Sequence, residues 1–386
     1  MKASLAVGKI AVLQLVYGVF YSMYFFFLPL FLEQSGYSRS EIGLLVGLFA
    51  VVALFSSIPL GMLSDKVKPR RLAFFAALLV GLFYLAVGRA EGLVFLAPAF
   101  LIGGIGDNLF RVSLDSTVYK LIKKDKKKGV KVGLNKFGAA AGSAIGAIGG
   151  GVMLTLFSFT DVLTGIAVSM LGVAFLTRLM ADVGTFKISA LDYARELKRP
   201  GAALLGSAFF LLAYHFGSEQ TTMTLYAKDV IGLSTEAIGL LFALNVCFYA
   251  VVSFAAGKSF DMTKRYKEIF FAGLMLSALG NFFYAFSWDF YTALFSRLIH
   301  DTGDAFAIIF AGFSVARIFP KSKLGGSTGG FLMVSVLGTT AGALGSGVIA
   351  DYFSLSASFI VAGAVTLAGA GMVLLASDKA AGSLFK

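Results

Sequence analysis

Twelve stretches of roughly 20 predominantly apolar residues follow one another along this 386-residue chain. They run near residues 9–32, 41–64, 72–89, 93–119, 131–157, 161–181, 201–226, 235–257, 268–287, 290–317, 325–349 and 354–376. A helix of about 20 apolar residues crosses the hydrocarbon core of a bilayer with every backbone hydrogen bond satisfied internally. A barrel strand needs only about 10 residues of alternating polarity, and these runs are too long for that. Composition agrees: 58% of residues are hydrophobic and 14% charged, against about 45–50% and about 25% in soluble domains. The expected fold class is an all-α membrane protein with twelve transmembrane helices. So little chain lies between the runs that no soluble catalytic domain is left over. The first run continues to Leu32 without a small-residue cleavage site, so it is read as a span rather than a signal peptide. A single cysteine, Cys247, excludes an intramolecular disulfide and any Cys-rich metal or iron–sulfur site.

Positive charge orients the spans. With both termini on one side, 27 of the 33 Lys and Arg residues fall in the tails, loops and helix ends of that side. Only Arg39, Arg89 and Lys228 fall on the other, while Arg111, Lys136 and Arg297 lie within spans. The positive-inside rule then predicts cytoplasmic termini in a multi-pass protein of the cell membrane. The net charge of +12 follows from this asymmetry. The lysine run at 123–128 accordingly reads as a lipid-headgroup and topology signal, not as a nucleic-acid patch.

The chain repeats itself. Ile42–Gly43–Leu44–Leu45 recurs as Ile238–Gly239–Leu240–Leu241, a shift of 196 that also maps Gly61 onto Gly257 and Asp65 onto Asp261. It maps Gly142, Gly146, Gly149 and Gly151 onto Gly338, Gly342, Gly345 and Gly347, and a shift of 197 maps Gly106–Asp107 onto Gly303–Asp304. The expected organisation is two six-helix halves, 1–181 and 201–386, joined by a cytoplasmic linker at 182–200.

Between the second and third spans stands Gly61–Met62–Leu63–Ser64–Asp65–Lys66–Val67–Lys68–Pro69–Arg70–Arg71, with a weaker second copy from Gly257 through Asp261 to Arg265. This pattern of a glycine, an acid four residues on and then basic residues resembles the signature loop of the major facilitator superfamily. Lys68 and Pro69 stand where that loop has a glycine and its first basic residue. The resemblance covers essentially the whole chain. It implies secondary transport by two rocking halves, with spans one, four, seven and ten lining a central cavity. Gly61 and Gly257 would let helices approach closely. Asp65 and Asp261 would latch the cytoplasmic side against a helix N-terminus or nearby guanidinium groups. Arg70 and Arg71 are read either as partners in that latch or as phosphate anchors. The glycines at 138, 142, 146, 149 and 150 resemble the fifth-helix motif of the superfamily's drug–proton antiporters, though Ser143 stands where that motif has a proline.

Ionisable residues inside spans are costly and usually functional or paired. Asp107, Arg111 and Asp115 share one face of span four, His215 and Glu219 one face of span seven, and Arg297, His300, Asp301 and Asp304 one face of span ten. The three helices that concentrate charge belong to the set the resemblance places around the cavity. Asp107 and Asp304, matched by the repeat, are the leading candidates for coupling or substrate contact. Asp115, nearer the cytoplasmic end, is expected to pair with Arg111 or to meet Arg70 or Arg71. Lys136 and Asn135 are read as either an anion contact or, for Lys136 the favoured reading, snorkelling to the interface. The five intramembrane acids outnumber Arg111, Lys136 and Arg297 by two, which suits proton carriage. Both histidines lie beside carboxylates and are read as proton-relaying, with divalent metal chelation as the alternative. Gln14, Tyr17, Tyr21 and Tyr24 follow one face of span one and would either serve packing, the commoner use of such a stripe, or line a cavity suited to a cation.

No G-x-x-x-x-G-K-[ST] loop is present, which argues against ATP-driven transport. No cofactor is called for. An intramembrane enzyme built on the span-ten acids and a transport-dead sensor are weaker alternatives. The expected activity is alternating-access transport of a small molecule, coupled to protons and carried out by a monomer among membrane lipids. Export of a cationic or lipophilic compound in exchange for protons leads, ahead of proton-coupled uptake of a small nutrient and of divalent metal-ion transport.

Overall fold

The computed structural model describes residues 2–122, 128–181, 183, 201–262, 265–318, 324–377 and 384–385. Side chains are described for the same residues except 2–4, 57–66, 119, 122, 128–130, 132–133, 261, 312–313, 315–318 and 324–332. The lysines at 123–127 and nearly the whole linker at 182–200 therefore lie outside the described residues, as do the side chains of Gly61, Asp65 and Asp261.

Thirteen α-helices account for most of the described chain, and no strand occurs among the described residues. They are α1 Lys2–Phe25, α2 Leu28–Gln34, α3 Arg39–Lys66, α4 Pro69–Val87, α5 Leu93–Ile122, α6 Lys128–Leu156, α7 Phe159–Leu176, α8 Ala202–Leu225, α9 Thr235–Met262, α10 Tyr266–Tyr284, α11 Phe290–Ile318, α12 Leu324–Tyr352 and α13 Leu355–Leu375. Local signals set several boundaries. Pro69 opens α4 at a position where a missing N–H costs nothing. The Ser158 and Ser354 hydroxyls accept the Asp161 and Ala357 N–H groups at the starts of α7 and α13. Nine spans among the described residues are long and apolar enough to cross a membrane, the first running through α1 and α2 from Leu5 to Gln34. α8, α10 and α11 fall outside that set. In α8 and α11 the polar and ionisable residues named above dilute the apolar character.

The helices gather into two compact units. One comprises Met1–Phe31, Leu48–Ile188 and Thr235–Val246; the other comprises Leu32–Gly47, Ser189–Ser234 and Cys247–Lys386. Within the first, α1 packs on α6, and α4 packs on α5 and α7. Within the second, α8 packs on α12, and α10 packs on α11 and α13. These pairings correspond under the sequence repeat, so the duplication is one of packing as well as of residues.

Glycine explains the tightest pairs. A Cβ on Gly138, Gly142 or Gly146 of α6 would run into the carbonyl oxygens of Ala11, Leu15 and Val19 on α1. On α12, a Cβ on Gly338 or Gly342 would meet the carbonyl oxygens of Phe210 and Tyr214 on α8. Small residues repeated every fourth position let two backbones approach to van der Waals contact in lipid, where helix association depends on such packing. The fifth-helix glycines are thus a packing seam with an equivalent in α12.

The repeated Ile-Gly-Leu-Leu segments sit at the starts of α3 and α9. In the second unit a Cβ on Gly43 would meet the Ala343 carbonyl oxygen, and one on Gly347 the Arg39 carbonyl oxygen. In the first unit Gly239 stands in the same way against Ala147, and Gly151 against Thr235. One pair is reinforced by charge: the Asp351 carboxylate accepts the Arg39 and Ser40 N–H groups at 3.0 and 2.8 Å, at the N-terminus of α3. The Arg39 side chain then reaches Glu33 at 3.2 Å and Asp229 at 3.7 Å.

Candidate functional site

In the first unit α5 and α1 build a closed polar contact. Arg111 Nε donates to Asp107 Oδ1 and Oδ2 at 2.8 and 3.0 Å, and the Tyr17 hydroxyl donates to the same Oδ1 at 2.6 Å. The guanidinium carbon of Arg111 lies 4.4 Å from the Tyr21 ring centre and 5.6 Å from that of Tyr17. The face of the tyrosine stripe is therefore taken by the protein's own cation. Gln14, Tyr17 and Tyr24 are buried. Tyr24 packs edge-on against Phe83 and Tyr84 of α4, so that tyrosine serves helix packing.

Asp115 finds its partners on α6. Asn135 Nδ2 and Lys136 Nζ each donate to its carboxylate at 2.9 Å, so neither Arg111 nor Arg70 nor Arg71 neutralises it. Lys136 supplies the counter-ion while its side chain stays largely exposed. Arg70 and Arg71 form no ion pair among the described residues. A Cβ on Gly257 would meet nothing within 4 Å among the described residues, so no close helix approach is seen at that position.

The second unit brings the remaining intramembrane charges together in one buried cluster. The i, i+4 spacing puts His215 and Glu219 on one face of α8, and Arg297, His300, Asp301 and Asp304 on one face of α11. Arg297 is held by Glu219 through Nη1 and by Asp301 through Nη2, the latter at 3.1 Å. His215 Nε2 lies 3.0 Å from Asp304 Oδ2. His300 Nε2 lies 2.9 Å from Glu219 Oε1 and 3.2 Å from the same Asp304 Oδ2, pointing between the two without the alignment of a hydrogen bond to either. The two imidazole rings meet edge to face with centroids 4.7 Å apart. His215 and His300 are fully buried, and Arg297, Asp301 and Asp304 are at most 5% exposed.

The charges locate the excess seen in the sequence. Asp107 with Arg111, and Asp115 with Lys136, are neutral pairs. Glu219, Asp301 and Asp304 face a single guanidinium. The surplus of two negative charges therefore belongs to the second unit, where the two imidazoles lie against Glu219 and Asp304.

One member of this cluster carried no sequence signal. His300 Nδ1 lies 2.8 Å from the backbone carbonyl oxygen of Ser277 on α10, and a carbonyl oxygen has no side-chain signature. Nδ1 must carry a proton to make that bond. Tyr249 of α9 lies within electrostatic reach of Asp304, and the buried amide of Asn281 on α10 has no hydrogen-bond partner among the described residues.

The sequence profile of the major facilitator superfamily matches residues 10–258 and again residues 203–385. The chain belongs to that superfamily. An uncharacterized transporter of the same type from Methanocaldococcus jannaschii is 22% identical over 350 residues, covering 85% of this chain and 87% of that protein. The crystal structure of the nucleoside transporter NupG superimposes with a TM-score of 0.82 at 13% identity, covering 96% of this chain and 99% of that one. An inward-facing, occupied structure of a bacterial homolog of the human lysosomal transporter Spinster gives 0.79 at 15% identity, covering 97% and 96%. At these identities the likeness is one of fold. Membership in the major facilitator superfamily makes this chain a multi-pass membrane transporter for a small-molecule substrate.

Proposed function

We propose that this transporter exchanges protons for a cation, with the cluster of α8 and α11 as the site where the two compete. The observation that carries the reading is the charge balance of that cluster. Three carboxylates, Asp301 and Asp304 buried and Glu219 partly so, against one guanidinium leave two negative charges, which two protonated imidazoles or a bound cation would neutralise. Burying an uncompensated charge in lipid-embedded protein is expensive, so the cluster favours one of those two loads over neither. Asp107 and Arg111 neutralise each other and serve as the fixed polar contact of the first unit.

In this reading twelve transmembrane helices form two six-helix bundles, 1–181 and 201–386, which rock about a midplane site with the linker at 182–200 in the cytoplasm. Both termini are cytoplasmic, and the protein works as a monomer in the plasma membrane among lipids that meet its basic loops. The Asp65 and Asp261 loops act as cytoplasmic latches. Export is the favoured direction, because a carrier loaded by outside protons releases its cation outward.

The test is exchange in proteoliposomes. An imposed pH gradient should drive counterflow of a cation drawn from a panel of organic cations and divalent metals, and Asp304→Asn should abolish it. Flux that is indifferent to the pH gradient, or equal in D304N and wild type, would overturn the reading.

A further inference from the structure

We infer that His215, His300 and Asp304 bind a divalent transition-metal ion, carried as cargo. The inference rests on the exchange reading above, since it names the cation exchanged, but its evidence is the geometry of the donor atoms.

Three potential ligand atoms, one from each residue, lie within 4.8 Å of one another. The Nε2 atoms of His215 and His300 stand 3.0 and 3.2 Å from a single carboxylate oxygen, Asp304 Oδ2. Around a metal with bonds of about 2.0–2.2 Å, neighbouring ligand atoms are separated by about 3.0–3.5 Å. Both nitrogen-to-carboxylate separations already match those of a first coordination shell, and all three donors lie within 4.8 Å of one another.

The tautomer fits as well. A metal-binding imidazole characteristically donates its second N–H to a carboxylate or backbone carbonyl, fixing the ring and directing the other nitrogen at the ion. His300 does this: Nδ1 donates to the Ser277 carbonyl oxygen at 2.8 Å, which turns Nε2 toward Asp304. Asp304 Oδ1 and His215 Nδ1 are buried without a hydrogen-bond partner among the described residues. The nearest guanidinium does not compete for the carboxylate of Asp304, because Arg297 is held by Glu219 and Asp301.

Two imidazole nitrogens and one carboxylate oxygen suit zinc, cobalt, nickel, manganese or ferrous iron; Mg2+ and Ca2+ favour all-oxygen shells. Three protein donors, one fewer than the closed shell of a structural zinc site, leave the ion a coordination position for water. That suits an ion that must also leave. Glu219 Oε1, 2.9 Å from His300 Nε2, is the next acceptor along the same face.

The full-length protein, purified in detergent, would be titrated with Co2+ while its visible d–d absorption and the pH of a weakly buffered dye solution are followed together. A saturable d–d band displaced by Zn2+, weakened about tenfold or more in His215→Ala and Asp304→Asn, is the expected result. Loss of the band through misfolding is separated from loss of a ligand by His215→Cys and His300→Cys. Each should retain cobalt binding and gain a thiolate-to-cobalt charge-transfer band that wild type, with only Cys247, lacks. No saturable band in wild type, or cysteine variants without charge transfer, would overturn the inference and leave the exchange reading to the proteoliposome assay. A cobalt band without release of protons would uphold the metal site and overturn the exchange reading instead.

Discussion

Arg297 offers the sharpest test of the buried cluster. Replacing it with methionine keeps the bulk of the side chain and removes the one full-time cation that faces Glu219, Asp301 and Asp304 among the described residues. Arg297 is 4% exposed, and its two carboxylate partners are largely shielded. Removing one partner of a buried ion pair typically costs about 3–5 kcal/mol, because the charge left behind has no compensation. For a cooperative unit of about 200 residues, 1 kcal/mol corresponds to roughly 2–4 °C in Tm. R297M should therefore melt about 6–20 °C below wild type in detergent, by the fluorescence of a thiol-independent unfolding probe. The cost is that of stranded charge, not of lost shape, so Glu219→Gln and Asp301→Asn added to R297M should restore most of the difference. An R297M protein within about 2 °C of wild type, or a triple variant no more stable than R297M, would refute the assignment of Arg297 as the charge that holds this cluster.

Three further outcomes follow from features outside the cluster. Gly142→Val, or its repeat equivalent Gly338→Val, should prevent assembly of a monodisperse protein, because the first added carbon already meets a carbonyl oxygen of the facing helix. Gly257→Ala, where a Cβ meets nothing within 4 Å among the described residues, should leave size-exclusion profile and Tm unchanged. At the start of α11 the Asp289 carboxylate accepts the Thr292 N–H and hydroxyl at 2.7 Å each, and the backbone contact holds its carboxyl below the usual aspartate range. A lowered folded value means the cap stabilises above the unfolded value of about 3.9 and fades as the pH falls through the folded one. Asp289→Ala should thus melt below wild type at neutral pH, with the two Tm values converging in acid; a constant difference down to that range would contradict it.

The architecture was readable because lipid imposes its own accounting. Runs of about 20 apolar residues have one folded option, and a repeat that includes acids as well as glycines identifies which runs correspond. Which residues share a helical face was equally readable, since the i, i+4 spacing of His215 with Glu219 and of Arg297 with Asp301 is fixed by the helix itself. Which faces meet was not. Whether Arg111 would neutralise Asp107 or Asp115 depended on Lys136 and Asn135 arriving from α6, and the sequence holds no distance between α5 and α6. The same gap hid the Ser277 carbonyl behind His300. The tyrosine stripe of α1 looked like an open aromatic face because its occupant, Arg111, lies 90 or more residues further along the chain. Sequence spacing reports what one helix presents, and only packing reports what another helix brings to it.

The reciprocal glycine contacts bear on where such a chain comes from. Position 43 meets position 343, and position 239 meets position 147; subtracting the repeat of 196, both describe residue 43 of one copy against residue 147 of the other. The pair joining 347 to 39 and 151 to 235 obeys the same arithmetic. A contact in which i meets j while j meets i is the defining property of an isologous interface between two identical subunits. These helix starts are therefore what the fusion of a symmetric homodimer would leave behind, and the Asp351 carboxylate, whose repeat equivalent is Thr155, marks a point where the two descendants have since ceased to be the same.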